Sequence, residues 1–198
     1  MIRAERDDAI LTLTLDRPEK ANSLTGAMLA DLAEHVEEVG PETALLILTG
    51  AGSRAFSAGA DLDEAAAGLA TSAVWERLSS AIAGLPCLTV AALNGTLAGG
   101  AFGMALACDI RLAVPQTAFF YPVARLGHLP QPSDPGRLAA LVGPARAKLI
   151  LVGGARLDAA EALSFGLIER VVPDPVAAAR ALIAGDSTHA AAIKAMLP

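Results

Sequence analysis

The stretch LTVAALNGTLAGGA, Leu88 to Ala101, opens on an apolar run without alternation and breaks at Asn94-Gly95. Such a run belongs to a strand covered on both faces, and Asn-Gly turns the chain at its end. Glycine-rich backbone follows and leads into a helical pattern from about Gly100 to Ala107. The same order recurs on either side. Ala44 to Leu48 is a second continuous run, ended by Thr49-Gly50-Ala51-Gly52 and followed by a helical pattern from about Ala65 to Ala83. Ile110 to Val114 is a third, ended by Pro115. Strand, glycine turn and helix in repetition predict a layered α/β fold of parallel character.

The flanks agree with this class. Leu11 to Leu15 reads L-T-L-T-L, the period of a strand with one buried face, and stops at Asp16-Arg17-Pro18. After Thr25 as N-cap, Met28, Leu32, Val36 and Val39 recur at helical spacing while Asp31, Glu34, Glu37 and Glu38 face away, up to Gly40-Pro41. Asp158 with Glu161 forms a capping box, and Gly166 suits a left-handed C-cap. From Pro173 the chain is Ala-rich, breaks at Asp174-Pro175, and has room for one or two short helices. No repeat or linker interrupts it. A single domain over 1–198 is expected, with a core at 1–172 and a helical tail at 173–198.

Composition excludes several function classes. The chain is 54% hydrophobic but only 4% aromatic, so small aliphatic residues must fill the core. Fifteen basic against twenty-one acidic residues give a net charge of -6, and no Lys/Arg stripe could neutralise a row of phosphates, which argues against nucleic acid. No charge occurs between Arg77 and Asp109, but Leu85-Pro86 and Asn94-Gly95 cut that stretch into pieces too short for a membrane span. Cys87 and Cys108 lie in apolar surroundings without C-x-x-C spacing, and no leader precedes Arg3, Glu5 and Arg6. The expectation is a cytoplasmic protein with two buried thiols.

Chemistry is suggested by two glycine turns, Phe56-Ser57-Ala58-Gly59-Ala60-Asp61-Leu62 and Asn94 to Ala101. Each brings bare backbone to the end of a strand, and the second runs into a helix whose free N–H groups favour negative charge. Together they could clamp one oxyanion. Taken by themselves, the same glycines more readily serve only tight turns and close packing.

Asp16 to Leu24, Phe56 to Leu62, Asn94 to Gly100, Cys108-Asp109-Ile110 and Leu157 to Val172 stand in the order of the motif blocks of the crotonase (enoyl-CoA hydratase/isomerase) superfamily, which the chain resembles from about Ile10 to Val172. The resemblance implies a spiral of β-β-α units in two roughly perpendicular sheets, assembled as a homotrimer or dimer of trimers. It places an oxyanion hole on the N–H groups of Ala60 and Gly100. Such donors suit acyl-CoA chemistry because an enolate gathers charge on the thioester oxygen. It further implies a CoA cradle near Arg17, Lys20, Ala21 and Ala58, closed by Asp61 and Leu62. Arg17 or Lys20 could meet a CoA phosphate or serve only as solvated turn residues, whereas Asp61 and Asp109 are read as chiefly structural. CoA enters as part of the substrate, and no other cofactor and no metal is called for.

Departures from the pattern define the chemistry further. Hydratases of this superfamily carry glutamates at the positions held here by Gly103 and Val123. Hydration needs that carboxylate pair, and the single-glutamate isomerases commonly use the second position, so standard hydratase activity is expected to be absent or very low. Replacement acid/base groups are sought in Tyr121 to Arg137, which supplies Tyr121, Arg125, His128, Gln131, Ser133 and Asp134. His128, oriented by Asp134, is the candidate pair, against the plainer reading of a solvated loop histidine. Family members also continue beyond the region matching Ile193-Lys194, so a more open acyl pocket, or one covered by a partner subunit, is expected. The reading is an acyl-CoA isomerase or lyase, with a non-catalytic acyl-CoA binding or carrier protein as the alternative.

Overall fold

The computed structural model describes residues 1–183 and 187–197. Among these residues the chain runs β1 (Ile2–Asp7), β2 (Ile10–Leu15), α1 (Gly26–Glu37), β3 (Leu45–Gly50), β4 (Ala55–Ser57), α2 (Leu62–Ala66) and α3 (Val74–Ala83). It continues through β5 (Leu88–Leu93), β6 (Thr96–Ala98), α4 (Phe102–Ala107), β7 (Ile110–Ala113), β8 (Ala118–Phe120), α5 (Asp134–Val142) and α6 (Pro144–Leu151). Last come β9 (Arg156–Asp158), α7 (Ala159–Phe165), β10 (Arg170–Val171), α8 (Pro175–Arg180) and α9 (Ser187–Lys194).

The strands form a six-stranded sheet in the order β1-β2-β3-β5-β7-β10 and a four-stranded sheet in the order β4-β6-β8-β9. Pairings from β2 to β10 in the first sheet are parallel, and only the β1-β2 hairpin runs antiparallel. Three units, β3-β4-α3, β5-β6-α4 and β7-β8-α5, each send a longer strand to the first sheet, a short one to the second, and then a helix. This is the expected α/β spiral of β-β-α units. It brings the ends of β4, β6 and β8 side by side, and the glycine turns leave from those ends.

Register explains the continuous apolar runs. Leu13, Leu48 and Ala91 sit across from one another in the parallel ladder and join Leu29 and Leu32 of α1 and Leu78 and Ile82 of α3 in the larger core. Leu45, Ile47, Val90, Ala92 and Leu112 face the other way and meet Ala179 of α8, with Val176 and Leu182 packed beside it. Each such Leu or Ile contributes roughly 1.5–3 kcal/mol when fully buried. The helix of the tail therefore completes the core. The L-T-L-T-L strand departs from its expected single buried face: Thr12 and Thr14 are 5% and 4% exposed, because their side of the sheet is covered too.

Two helices differ from the sequence pattern. The segment from Ala65 to Ala83 is broken after α2, where Gly68 takes φ +108°, so that only α3 keeps the amphipathic face. The segment from Gly100 starts as a 3-10 turn over Gly99–Ala101 before α4. The capping box is formed in both directions, Glu161 N–H donating to Asp158 Oδ1 and Asp158 N–H to Glu161 Oε2, and Gly166 closes α7 at φ +80°.

Candidate functional site

Backbone hydrogen bonds decide what the first glycine turn can offer. Ala58 N–H donates to Ala21 O at 3.0 Å, Gly59 N–H to Ser57 Oγ at 3.1 Å, and Asp61 N–H to Leu24 O at 2.8 Å. The N–H of Ala60, between them, has no acceptor among the described residues. Gly100 lies inside the 3-10 turn, where the N–H likewise meets no intrahelical carbonyl. The two turns touch at their glycines. Gly59 takes φ +91°, and a β-carbon there would stand 3.3 Å from Gly100 N and 3.0 Å from Ala98 O. Only glycine fits that contact.

Arg17, Asn22 and Asp61 brace the first turn. The Arg17 guanidinium donates to Asp61 Oδ2 at 2.7 Å and to Ser23 Oγ and O, each at 3.3 Å. The Arg17 hydrogen bond holds the Asp61 carboxyl below the usual range, and Asp61 also caps α2 through Asp63 N–H. Asn22, buried at φ +52°, donates to Ala51 O and Ala55 O, a brace that carried no assigned role in the sequence reading. Of the expected CoA cradle, Arg17 is thus committed to Asp61. Lys20 and Ala58 are exposed, Ala21 is half-buried at φ +52°, and Leu62 is 86% exposed at the start of α2. Asp109 accepts from Thr89 N–H, Thr89 Oγ1 and Lys194 Nζ, which ties β5, β7 and α9 together.

Gly100, in the 3-10 turn, and Gly103, in the first turn of α4, are three residues apart and so stand on one side of the continuous helical segment. The Trp75 indole lies over Gly100, 3.3 Å from where a β-carbon would be, anchored by Nε1–H donating to Leu69 O at 2.9 Å. Over Gly103 stands the Asp134 carboxylate, whose Oδ1 would be 2.9 Å from a β-carbon on that glycine. Asp134 is fully buried. Its Oδ2 accepts from Tyr121 Oη at 2.7 Å, while Oδ1 has no hydrogen-bond partner among the described residues. Burial raises the Asp134 carboxyl to about 6, against the pull of Tyr121 and Arg137, and burial beside Asp134 likewise pushes the Tyr121 phenol up. Tyr121 is in turn stacked on Phe102 with ring centroids 5.1 Å apart.

The expected His128–Asp134 pair is not formed. His128 is exposed on the turn after β8, and no hydrogen bond joins it to Asp134, whose one bonded oxygen is taken by Tyr121. A buried carboxylate finds its donor in the core, and the chain leaves the left-handed Gly127 with the histidine outward. Of the remaining candidates, Arg125 reaches back to Gly153 O and Gln131 donates to Ala70 O. Ser133 bonds Glu76 through both its N–H and its hydroxyl, fastening the start of α5 to α3. Val123 is buried at the head of an apolar groove of about 420 Å³, whose wall includes His128, Leu129, Pro135, Ala139 and Leu151.

Comparison with known proteins fits this architecture. A family model described as enoyl-CoA hydratase/isomerase matches residues 5–196. The relative named "Probable enoyl-CoA hydratase" from Rhodobacter capsulatus is 38% identical over 178 residues, covering 87% of this chain and 69% of that protein. An enoyl-CoA hydratase/carnithine racemase from Magnetospirillum magneticum superimposes with a TM-score of 0.90 at 31% identity, over 99% of this chain and 79% of that one. A Thermobifida fusca YX protein solved in complex with CoA gives 0.88 at 29% identity, over 99% of this chain and 83% of that one. The chain spans 66% to 70% of the length of the curated relatives it matches. Sequence, β-β-α spiral and these likenesses agree that the chain belongs to the enoyl-CoA hydratase/isomerase family of the crotonase superfamily.

Proposed function

We propose that this protein binds an acyl-CoA thioester by donating the Ala60 and Gly100 N–H groups to its carbonyl oxygen, and that it performs enolate-type isomerase or lyase chemistry rather than ordinary hydration. One observation carries the reading: two main-chain donors without acceptors among the described residues, held together by the contact of Gly59 with the Gly99-Gly100 turn. Fixed donors of this kind favour the charge of an enolate over the neutral thioester, and loss of one costs about 3 kcal/mol of transition-state stabilisation. Gly103 and Val123 in place of carboxylates disfavour hydration, which must position a water and move its protons. The complex of a family member with CoA supports the ligand class. In this reading the CoA, which enters as part of the substrate, lies along Lys20, Ala21, Ala58 and Leu62. The same proposal has the protein working in the cytoplasm, which cell fractionation checks, as a trimer or dimer of trimers, which light scattering on the purified protein checks.

Calorimetric titration with short- and long-chain acyl-CoAs tests the core of the reading. Saturable binding is expected, and a folded protein that binds none of them at millimolar ligand rejects it. A second reading, capture of an acyl-CoA without turnover, is favoured by the apolar groove at Val123, which has room for a chain where a carboxylate is missing. Conversion of any bound acyl-CoA by the purified protein rejects that second reading.

A further inference from the structure

Among the described residues, most carboxylates that leave the solvent are satisfied. Asp61 accepts from Arg17 and from Asp63 N–H, and Asp109 accepts from three donors. Asp134 differs. It is fully buried, and its Oδ1 has no partner. A buried charge is retained in a fold only with compensation, and an orphaned carboxylate oxygen in a core calls for a role other than packing. That oxygen points at the one position on α4 where a side chain is missing beside Gly100, and a β-carbon on Gly103 would collide with it at 2.9 Å.

We propose that Asp134 is the proton-transferring group of this site, its carboxylate delivered from the first turn of α5 into the place that a side chain at position 103 would occupy, with Tyr121 as its positioning residue. The inference rests on the acyl-CoA reading above. Gly100, in the 3-10 turn that leads into α4, and Gly103, in its first turn, are three residues apart, so the carboxylate over Gly103 stands about one turn along from the Gly100 N–H, over which the Trp75 indole lies. Tyr121 Oη, donating to Oδ2 and stacked on Phe102, fixes the carboxylate so that Oδ1 is the oxygen left to act.

The step is balanced by one group. Oδ1 takes the proton from Cα of the acyl chain, the C–H electron pair becomes the Cα–C1 double bond, and the carbonyl π pair moves to the thioester oxygen under the Ala60 and Gly100 N–H groups. The protonated Asp134 trades that proton with solvent while the enolate is held and then protonates Cα, or Cγ of a β,γ-unsaturated chain, and the carbonyl reforms. No second carboxylate and no oxidant is needed, which suits a site lacking both hydratase glutamates.

The test is exchange of the α-protons of butyryl-CoA in D2O, followed by mass spectrometry, alongside calorimetric binding of the same ligand. D134N is expected to bind butyryl-CoA as wild type does while losing roughly 10²–10⁴-fold in exchange rate. Wild-type exchange should rise with pH as Asp134 ionises. Y121F, which removes the donor to the carboxylate, should move that inflection to higher pH, a readout independent of whether D134N folds. The groups facing Asp134 besides Tyr121 are Arg137 and Glu76, and both are kept in these variants. Undiminished exchange in D134N, an inflection unmoved in Y121F, or wild-type binding without exchange overturns the Asp134 assignment alone. Failure of wild type to bind butyryl-CoA removes the oxyanion reading beneath it.

Discussion

Gly59 packs so closely on Gly100 that a β-carbon on the first would stand 3.3 Å from the amide nitrogen of the second. The contact sets how far apart the two free amides lie, and it leaves the turn no room for any other residue.

G59A is therefore expected to destabilise the fold by about 1–3 kcal/mol, because it combines an unfavourable φ with a collision at Ala98 O. G127A is the control for backbone strain alone, since Gly127 takes φ +71° with nothing within 4 Å of its β-position. Thermal unfolding should show the larger loss for G59A, and calorimetry should show weakened acyl-CoA binding only there. Equal effects of the two variants on binding would dissociate the glycine contact from the ligand site.

For Asp134 the pH dependence of stability runs opposite to that of a salt-bridged carboxylate. Its folded value of about 6 lies above the ordinary 3.8, so between those values the folded chain holds a proton that the unfolded chain has released. Wild-type stability thus falls as pH rises through that window and levels off above it. D134N cannot titrate, and its stability relative to wild type should rise by about 2–3 kcal/mol between about pH 4 and about pH 7. Urea midpoints at the two pH values measure this, and a constant difference would mean that the carboxyl titrates normally.

The Arg17–Asp61 pair has the usual sign. The Asp61 carboxyl is held below its ordinary value by the Arg17 hydrogen bond, so its contribution is present at neutral pH and is lost as acid protonates it. R17A should be less stable than wild type at pH 7, with the gap closing as pH falls below the ordinary carboxylate range. Denaturant titrations across that range check the trend, which fails if the gap widens in acid.

Both thiols should resist alkylation in the native protein. Cys108 is 4% exposed, and burial pushes its thiol up to about 12, while Cys87 is 5% exposed and is also raised by burial. Thiolate is the reactive form, so Ellman's reagent should find two thiols only after denaturation. Rapid native reaction would place one of them at the surface.

How much of this was legible in the chain depends on the range of the interactions involved. The runs at Ala44, Leu88 and Ile110 announced β3, β5 and β7, because a strand covered on both faces must be apolar throughout. Asp158 and Glu161 announced α7, because a capping box is local. The short strands β4, β6 and β8 have three residues each, too few to display a period; β4 and β6 merged with the glycine turns, and β8 carried no assignment. The sequence pattern also picked out Asp134 but gave it the wrong neighbour. His128 is near it along the chain, whereas Tyr121 and Gly103 come to it through the packing of β8, α4 and α5. No spacing rule connects a missing side chain on one helix with a carboxylate supplied by another.

The seating of α8 on Leu45, Ile47, Val90 and Leu112 has a bearing on synthesis. A ribosome releases this chain from the amino end, so the parallel ladder can assemble while an oily strip of it remains bare until the segment from Pro175 emerges. A transcript truncated ahead of that point would encode a protein with most of its architecture and a sticky flank. Such a product is expected in inclusion bodies, whatever the state of its glycine turns.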